Sequence, residues 1–248
     1  MRLLEISSID IHTILDQVTD YLFPQVCMIC GRVLSERNAS PYLIKRQLCV
    51  RCLSAFPVRL QSERWFPCLS DPYETDPIPD FSVWALFHYE MPVTGLLKRL
   101  KFRSASFCGN LLGDLIGREF PKDLDTAFTC VIPIPLSEKR LAERGFNQSA
   151  LLGEGLSGAL SVPLLEDVLV RNRHTNRQSR FHDPLQREGN VSGAFSVAES
   201  WDISGWNVLL VDDILTSGAT LHEAARVLYS AGANLVVGAV AATHRENQ

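Results

Sequence analysis

The sequence predicts an α/β fold built on a parallel β-sheet and preceded by a small cysteine-rich unit. From residue 81 onward, apolar stretches long enough for buried strands alternate with stretches of helical character. Near-continuous apolar strands between helices are typical of a parallel sheet that is covered on both faces. Four cysteines form two closely spaced pairs before residue 53, and a segment rich in proline and acids, 68–80, separates them from the rest. That composition is typical of a linker.

The composition is that of a globular protein. The chain has 248 residues, of which 46% are hydrophobic and 21% charged, enough for one large domain or two unequal ones. Its net charge of −4 argues against a surface coated with bases. The N-terminal residues lack the apolar run of a signal peptide, and no stretch reaches the roughly 18 apolar residues of a membrane span. We therefore expect a cytoplasmic location, no membrane insertion and reduced thiols.

The cysteine spacing predicts a metal site. Two Cys-x2-Cys pairs with eighteen residues between them have the spacing of a zinc ribbon, in which two tight turns present four thiolates to one ion. Buried cysteines or a redox pair are the alternatives, but two pairs favour zinc over both. Four thiolates leave no open coordination position, so the Zn²⁺ would be structural. The predicted ligands are Cys27, Cys30, Cys49 and Cys52, and the predicted core cysteines are Cys68, Cys108 and Cys130.

The elements follow in order along the chain. Residues 1–66 are predicted to hold a helix and the four-cysteine ribbon, residues 67–80 the linker, and residues 81–248 the α/β domain. Apolar periodicity, prolines and glycines set the bounds within that domain. Strands are predicted at 81–89, 128–135, near 164–170, at 207–211 and at 234–242, and helices at 92–100, 109–120, 147–160 and about 220–231.

One glycine pattern is rejected as a nucleotide-binding motif. Gly153-x-Gly155-x-x-Gly158 has the spacing of the dinucleotide-binding fingerprint. It lies inside a predicted helix rather than at a strand-to-helix turn, and no acid follows about twenty residues later. The chain therefore has no predicted dinucleotide site.

The strongest functional signal is the stretch VLLVDDILTSGATL, residues 208–221. An apolar strand leads into two adjacent acids and then into a loop of Thr, Ser and Gly, which offers little to a hydrophobic core. Ligands of open α/β sheets bind at the carboxyl ends of strands. A loop of backbone N–H groups and hydroxyls at a helix N-terminus suits a phosphate. The predicted phosphate-binding residues are Thr216, Ser217, Gly218, Ala219 and Thr220.

The two acids indicate what accompanies the phosphate. Asp212 and Asp213 would repel a phosphate, but they suit neighbouring sugar hydroxyls or a Mg²⁺ that bridges to further phosphate. Phosphate, diol and metal together describe a phosphorylated ribose. The alternative is an ordinary strand-to-helix turn with a polar cap, which would need neither two acids nor three hydroxyls.

This stretch resembles the 5-phosphoribosyl-1-pyrophosphate (PRPP) motif of type I phosphoribosyltransferases. Together with the paired cysteines, the segments 132–152 and 171–195 extend the resemblance to the ComF family over most of the chain. It implies a zinc ribbon joined to a type I phosphoribosyltransferase-like, Rossmann-like domain. It also implies PRPP or another ribose 5-phosphate ligand, Mg²⁺ with PRPP, and a role with single-stranded DNA and DNA-processing proteins in competence. Asp212 and Asp213 would then be catalytic as well as ribose-binding.

The resemblance also assigns roles to basic residues. The pyrophosphate loop would map onto the region of Arg140 and Arg144, and the mobile active-site loop would bring Arg171, Arg177 and Gln178 to the ligand. A solvated basic surface is the alternative for both loops. The cluster Lys98, Arg99, Lys101 and Arg103, with Phe102 or Phe107 as a stacking face, could contact nucleic acid. A solvated helix end is the slightly preferred interpretation there.

Three hypotheses for function remain open at this point. The first is a ComF-like protein that binds PRPP and transfers the pentosyl group if it is active. The second keeps the fold as a non-catalytic module that binds nucleic acid or a nucleotide effector. The third is an adaptor that docks through the ribbon. The acceptor substrate is not indicated by any residue in 1–66.

Overall fold

The computed structural model describes residues 22, 24–35, 48–68, 79, 81–102, 106–122, 127–172 and 193–246. The chain divides into two compact units, Met1–Phe56 and Pro57–Gln248. The predicted N-terminal helix, most of the predicted linker, and Arg103, Arg177 and Gln178 lie outside the described residues. No helix in the described part of the chain has both the length and the apolar character needed to cross a bilayer.

In the first unit, the first cysteine pair lies on a tight reversal of the chain. Val26 and Val33 form an antiparallel bridge, and within it the Cys27 N–H donates to the Arg32 carbonyl at 2.7 Å. Gly31 completes the turn with φ +70°, a conformation that favours glycine. The second pair lies at the start of the short helix α1 (Val50–Leu53). Both pairs are thus held by local backbone geometry.

The second unit is an α/β domain. Its helices are α2 (Val93–Arg99), α3 (Phe107–Glu119), α4 (Glu138–Arg144), α5 (Gln148–Leu160) and α6 (Ala219–Ser230). Its strands are β1 (Trp65–Pro67), β2 (Ser82–His88), β3 (Cys130–Pro133), β4 (Leu169–Arg171), β5 (Phe195–Val197), β6 (Asn207–Leu215) and β7 (Leu235–Thr243).

The main sheet has the strand order β1-β2-β7-β6-β3. β2, β7, β6 and β3 are parallel, and β1 adds an antiparallel edge. β7 is buried at every residue after Leu235, and β6 is buried from Val208 to Val211, which explains the apolar sequences of these stretches. The predicted parallel sheet is therefore confirmed, with one antiparallel strand in addition.

Helices cover both faces of this sheet. On one face, α5 lies against β3 and β6, where Gly153 is close to Val131 and Val211. On the other face, Leu221 and Leu228 of α6 join a core cluster with the inward side chains of β6. Each face thus receives a helix whose N-terminus lies at the carboxyl end of the strands.

Glycines let α3 and α5 approach each other closely. A Cβ on Gly113 would lie 2.0 Å from the Leu152 carbonyl oxygen, and one on Gly155 would lie 2.1 Å from the Asn110 carbonyl oxygen. Only glycine fits at both positions, because backbone occupies the space of the side chain. Gly155 of the rejected glycine pattern therefore serves helix packing within α5.

Four sequence-based expectations differ from the structure. The strand predicted near 164–170 is β4, which pairs antiparallel with β5 in a separate two-stranded sheet because the chain leaves the main sheet after one bridge at Leu164. Residues 138–144 form helix α4, which the sequence analysis did not predict. β6 continues through the acids to Leu215, since β7 pairs with it up to Thr243. The first unit ends at Phe56 rather than residue 66, since β1 belongs to the main sheet.

Candidate functional site

The carboxyl end of β6 lines a cavity of about 240 Å³. The parallel pairing of the neighbouring strands brings their carboxyl ends to the same edge of the sheet. The lining residues include both acids and most of the predicted phosphate loop. They are Asp212, Asp213, Ile214, Leu215, Thr216, Ser217, Gly218, Thr220 and Leu221.

The loop between β6 and α6 depends on Gly218. This residue has φ +86° and precedes the first residue of α6, so its backbone turns the chain directly into the helix. A Cβ at this position would lie 3.0 Å from the Cys68 Sγ. The Ser217 hydroxyl accepts a 3.4 Å hydrogen bond from the Ala219 N–H. The loop thus places hydroxyls and the N-terminus of a twelve-residue helix at one side of the cavity.

Asp212 is held by two hydrogen bonds to the same oxygen. Its Oδ1 accepts from the Ser149 hydroxyl at 2.8 Å and from the Asp213 N–H at 2.9 Å. Burial raises the pKa of Asp212 to about 7, and the charge of Asp213 adds to the rise, against the opposing effects of these hydrogen bonds and of Arg171. Part of the Asp212 population is therefore protonated near neutral pH.

Asp213 faces a different set of neighbours. Burial raises the pKa of Asp213, whereas its own backbone contacts and the cations Lys101 and Arg144 lower it. Each acid thus interacts with cations, Asp212 with Arg171 and Asp213 with Lys101 and Arg144.

The predicted cations gather around this pair. Arg171 lies over the Phe195 ring, with its guanidinium carbon 5.2 Å from the ring centroid. Burial and the charge of Arg140 lower the pKa of Arg171, while Asp212 raises it. Arg140 and Arg144 lie in the first and last turns of α4, the latter close enough to interact with Asp213. Arg140, Arg144 and Arg171 therefore share one electrostatic environment with the acids.

The structure also adds two residues that the sequence analysis did not assign to this site. Ser149 is buried in the first turn of α5, where its hydroxyl meets Asp212. Lys101, which follows α2, interacts with Asp213. The position of Ser149 could have been inferred, because the N-terminus of a helix that follows β3 belongs at the same sheet edge. The position of Lys101 had no local signal.

The four predicted zinc ligands form one cluster in the first unit. Their Sγ atoms all lie within 4.8 Å of one another, and the Cys30 and Cys49 sulfurs are 3.9 Å apart. Four thiolates at about 2.3 Å from a tetrahedral Zn²⁺ have sulfur–sulfur distances of about 3.8 Å. The cluster therefore has the size and the donor atoms of a site for a metal such as zinc.

The pKa values of these thiols are also consistent with a cation bound between them. Burial raises the pKa of Cys27, but backbone N–H groups of Cys49, Cys30 and Ile29 outweigh it and lower the pKa to about 6. Burial and the neighbouring thiols raise the pKa of Cys52 far above its usual value. Four thiolates cannot ionise together at this spacing without a positive charge between them.

Comparisons with known proteins agree with this architecture. The model of the phosphoribosyl transferase domain family matches residues 147–248. Competence protein F of Haemophilus influenzae is 34% identical over 153 residues, which are 58% of this chain and 65% of that protein. Competence protein ComFC of Bacillus subtilis is 31% identical over 60% of this chain and 58% of its own length. The chain thus spans less than two thirds of these two relatives.

A longer match is found with DNA utilization protein YhgH of Escherichia coli, which is 28% identical over 216 residues, 85% of this chain and 87% of that protein. Among solved structures, a glutamine PRPP amidotransferase from B. subtilis overlaps 55% of this chain and 26% of its own at 21% identity, with a TM-score of 0.39. A TM-score this low does not establish a common fold. The sequence matches, the α/β fold and the four-cysteine cluster together show that the chain is similar to competence proteins F and ComFC, with a type I phosphoribosyltransferase domain in its second unit.

Proposed function

We propose that the second unit binds PRPP, or another ribose 5-phosphate ligand, at the carboxyl end of β6. One observation carries this proposal: a single cavity is lined by two adjacent carboxylates and by the hydroxyl-rich loop that starts α6. The loop would bind the phosphate at one end of a phosphorylated ribose, and the carboxylates would bind the sugar diol at the other end.

The 5′-phosphate would be bound by the loop from Thr216 to Thr220. Backbone N–H groups at a helix N-terminus and hydroxyls from Thr216, Ser217 and Thr220 are the donors that a phosphate requires. The helix dipole contributes about 0.3–1 kcal/mol, whereas each hydrogen bond to a charged group contributes about 1.5–3 kcal/mol. Hydrogen bonds from the loop would therefore dominate the affinity.

The ribose hydroxyls and a Mg²⁺ would be held by Asp212 and Asp213. The donor set fits this cation, because two carboxylates border the same cavity and carboxylate oxygens are ligands that Mg²⁺ prefers. When bound, Mg²⁺ would neutralise charge on the pyrophosphate and on the acids. Asp212 keeps its orientation through Ser149, so only part of its hydrogen-bonding capacity is open to a ligand.

The cations around the acids would hold the pyrophosphate. Arg140 and Arg144 of α4 and Arg171 at the end of β4 are candidates, since displacement of pyrophosphate from the anomeric carbon needs positive charge at the leaving oxygens. Arg177 and Gln178 remain candidates from the resemblance. In the reaction, an acceptor would form a bond to the anomeric carbon as its bond to pyrophosphate breaks, and an aspartate would assist in removing a proton from the acceptor.

The names of the relatives support a proposal about the cellular process in which this chain takes part. Two of them are called competence proteins and one a DNA utilization protein, which supports a role for this chain with DNA, and the sequence resemblance to the ComF family implies single-stranded DNA. We include that role in the proposal. We also propose that the cysteine cluster binds one structural Zn²⁺.

Calorimetric titration of the full chain with ribose 5-phosphate tests the phosphate site. Unphosphorylated ribose is the matched control, because it retains the diol and lacks the group that the loop would bind. We expect binding of ribose 5-phosphate at least tenfold tighter than that of ribose. Equal affinities for ribose 5-phosphate and ribose would contradict the binding of the phosphate by the loop.

Pyrophosphate release tests turnover separately. Candidate bases and amines are incubated with the protein, PRPP and Mg²⁺, and released pyrophosphate is measured. Release that requires both an acceptor and Asp213 establishes an enzyme. PRPP binding with no release across the acceptors assigns the non-catalytic module instead.

A second candidate function, direct binding of nucleic acid, is favoured by the surface around Phe102. This aromatic ring is 66% exposed, and the neighbouring Lys98, Arg99 and Lys101 are exposed as well. A stacking ring among cations is typical of single-strand binding sites. Lys98→Ala/Phe102→Ala should weaken binding of a labelled oligonucleotide in an anisotropy titration and reduce its salt dependence. Lys122→Ala/Val170→Ala, which removes one exposed cation and one exposed apolar side chain elsewhere, should leave the binding unchanged.

A further inference from the structure

The end of β7 is tied to the start of the phosphate loop through one buried side chain. Thr243 is the last residue of β7 and is paired in register with Leu215, the last residue of β6. Its hydroxyl donates to the Leu215 carbonyl at 2.8 Å and accepts from the Arg245 N–H at 3.0 Å. Thr243 is only 1% exposed. This hydroxyl therefore fixes the point at which the chain leaves the sheet to enter the loop.

Arg245 reaches the other end of the same loop. Its Nη1 lies 3.8 Å from the position that a Cβ on Gly218 would occupy, next to the Cys68 thiol. Burial raises the pKa of Cys68, and the nearby Arg245 opposes that rise without overcoming it. The Arg245 Nη1 is buried and donates to no oxygen of the described residues. Its positive charge is therefore not neutralised by the thiol that lies beside it.

Arg59 holds this segment in place. Its Nη2 donates to the Arg245 carbonyl at 2.6 Å, and its guanidinium lies 5.0 Å from the centre of the Phe66 ring. Arg59 is 1% exposed, and its Nε and Nη1 have no hydrogen-bond partner in the described part of the chain. A buried cation without an anionic partner is costly to the fold. Arg59 is such a cation among the described residues, whereas Arg245 is partly exposed, with its Nη1 buried.

We propose that residues 243–245 form a brace beneath the phosphate loop, in which Thr243 fixes the end of β6 and Arg245 places positive charge behind Gly218. The brace rests on the proposed function, because it assigns the charge to the binding of a phosphate by this loop. Thr243 and Arg245 are positioning residues: neither lines the cavity, and each acts through the loop backbone. An anion bound by the loop would interact favourably with the positive charge of Arg245.

Two measurements on the full chain test the brace. Thr243→Val keeps the shape of the side chain and removes the hydroxyl, whereas Thr243→Ser keeps the hydroxyl. Loss of one hydrogen bond corresponds to about a three- to tenfold change. We expect Thr243→Val to accelerate amide hydrogen exchange in residues 214–220 and to weaken ribose 5-phosphate binding by about that factor, with both effects reversed in Thr243→Ser.

Thr129→Val is the matched control for the hydroxyl. The Thr129 Oγ1 accepts from the Asn207 N–H at the opposite end of β6, so this variant removes an exposed threonine hydrogen bond far from the loop. It should leave exchange in 214–220 and ligand affinity unchanged. For the charge, Arg245→Met should weaken ribose 5-phosphate binding and Arg245→Lys should restore most of it.

The outcomes distinguish a failure of the brace from a failure of the proposed function. Exchange and affinity in Thr243→Val equal to those of the wild type would overturn the brace. Wild-type protein that does not bind ribose 5-phosphate would overturn the proposed function, and the exchange measurement would then still test the tie between Thr243 and the loop. Equal affinities of Arg245→Met and the wild type would remove the electrostatic part of the brace.

Discussion

At the scale of single residues, the clearest sign of function is the unfavourable free energy of placing two carboxylates next to each other at the end of a strand. Two carboxylates follow each other at the end of a buried strand, and burial raises the pKa of both. A fold gains nothing from this arrangement, since each ionised acid makes the other less favourable. The cost is expected where a ligand or a cation completes the site.

The raised pKa of Asp212 predicts a specific dependence of stability on pH. The carboxyl group binds protons more tightly in the folded protein, with a pKa of about 7, than in the unfolded chain, where the value is 3.8. The folded state therefore holds more protons between these values, and this group's contribution to the free energy of unfolding falls as pH rises from about 4 to about 7.

Asp212→Asn should remove that fall. The amide can still accept from Ser149 but carries no charge, so at pH 8 the variant should be more stable than the wild type by about 1–3 kcal/mol. At pH 4 the two proteins should have nearly the same stability. Urea unfolding at both pH values measures the difference. A variant that is less stable than the wild type at pH 8 would contradict the conclusion that the charge of Asp212 destabilises the folded protein.

Gly218→Ala should affect the ligand as well as the fold. A side chain at φ +86° costs about 1–2 kcal/mol, and the added Cβ would contact the Cys68 Sγ. Gly205→Ala is the matched control, since Gly205 has φ +77° and open space around its Cβ position. Both variants should lose similar stability in urea unfolding, but only Gly218→Ala should lose affinity for ribose 5-phosphate. Equal affinity in the two variants would contradict the role of the loop.

At the scale of elements, the packing of α3 against α5 positions the site. Ser149 reaches Asp212 because α5 lies close to the sheet, and glycines permit that approach. Gly155→Ala would place a methyl group 2.1 Å from the Asn110 carbonyl oxygen. We expect a loss of about 2–3 kcal/mol in the free energy of unfolding and weaker ligand binding, because α5 must move.

Gly158→Ala provides the control within the same helix. No atom lies within 4 Å of its Cβ position, so alanine should gain helix propensity of up to about 1 kcal/mol without displacing a neighbour. The two variants should therefore shift the melting temperature in opposite directions. A rise of the melting temperature in both variants would show that propensity, rather than the close contact, controls this helix.

The sequence could predict most elements of the second unit, for physical reasons that are local. Apolar runs mark β2, β3, β6 and β7, and helical periodicity marks α3, α5 and α6, so their existence was predicted to within a few residues. The acidic pair and the loop were found because their chemistry is contained in fourteen consecutive residues. Ser149 and Lys101 were missed as parts of this site, since their contacts with the acids depend on how separate segments fold together.

The short helix α4 shows where local signals were present but not used. Ser137 caps its N-terminus by accepting from the Arg140 N–H at 3.4 Å, and Gly145 ends it with φ +76°. These are ordinary start and stop signals. The pairing of β4 with β5, in contrast, joins segments on either side of residues 173–192, and no local pattern indicates such a partner.

At the scale of the whole molecule, the two units carry separate chemistry. The four thiols lie in the first unit, and the acids, the loop and the brace lie in the second. The cysteine spacing alone predicted the cluster, because a Cys-x2-Cys turn is a local structure. The boundary at residue 66 was placed too late because β1 is too short to give a strand signal.

The protein should contain one equivalent of zinc. Metal analysis of the purified full chain should find about one Zn²⁺ per chain, and Cys27→Ser/Cys52→Ser should lose it together with the folding energy that the metal supplies to the first unit. The double variant should still bind ribose 5-phosphate, since the proposed site consists of residues of the second unit. A chain that retains zinc after both substitutions would contradict the assigned ligands.

The central claim is that the acidic pair and the loop form a PRPP site, and calorimetric titration of Mg²⁺-PRPP into the full chain tests it most directly. Asp212→Asn/Asp213→Asn removes the pair, and Glu166→Gln/Asp167→Asn removes two adjacent exposed acids elsewhere in the same unit. We predict that the wild type and the Glu166→Gln/Asp167→Asn variant bind with the same affinity and that the Asp212→Asn/Asp213→Asn variant loses at least tenfold. Folded, zinc-loaded wild type that does not bind Mg²⁺-PRPP would contradict the account.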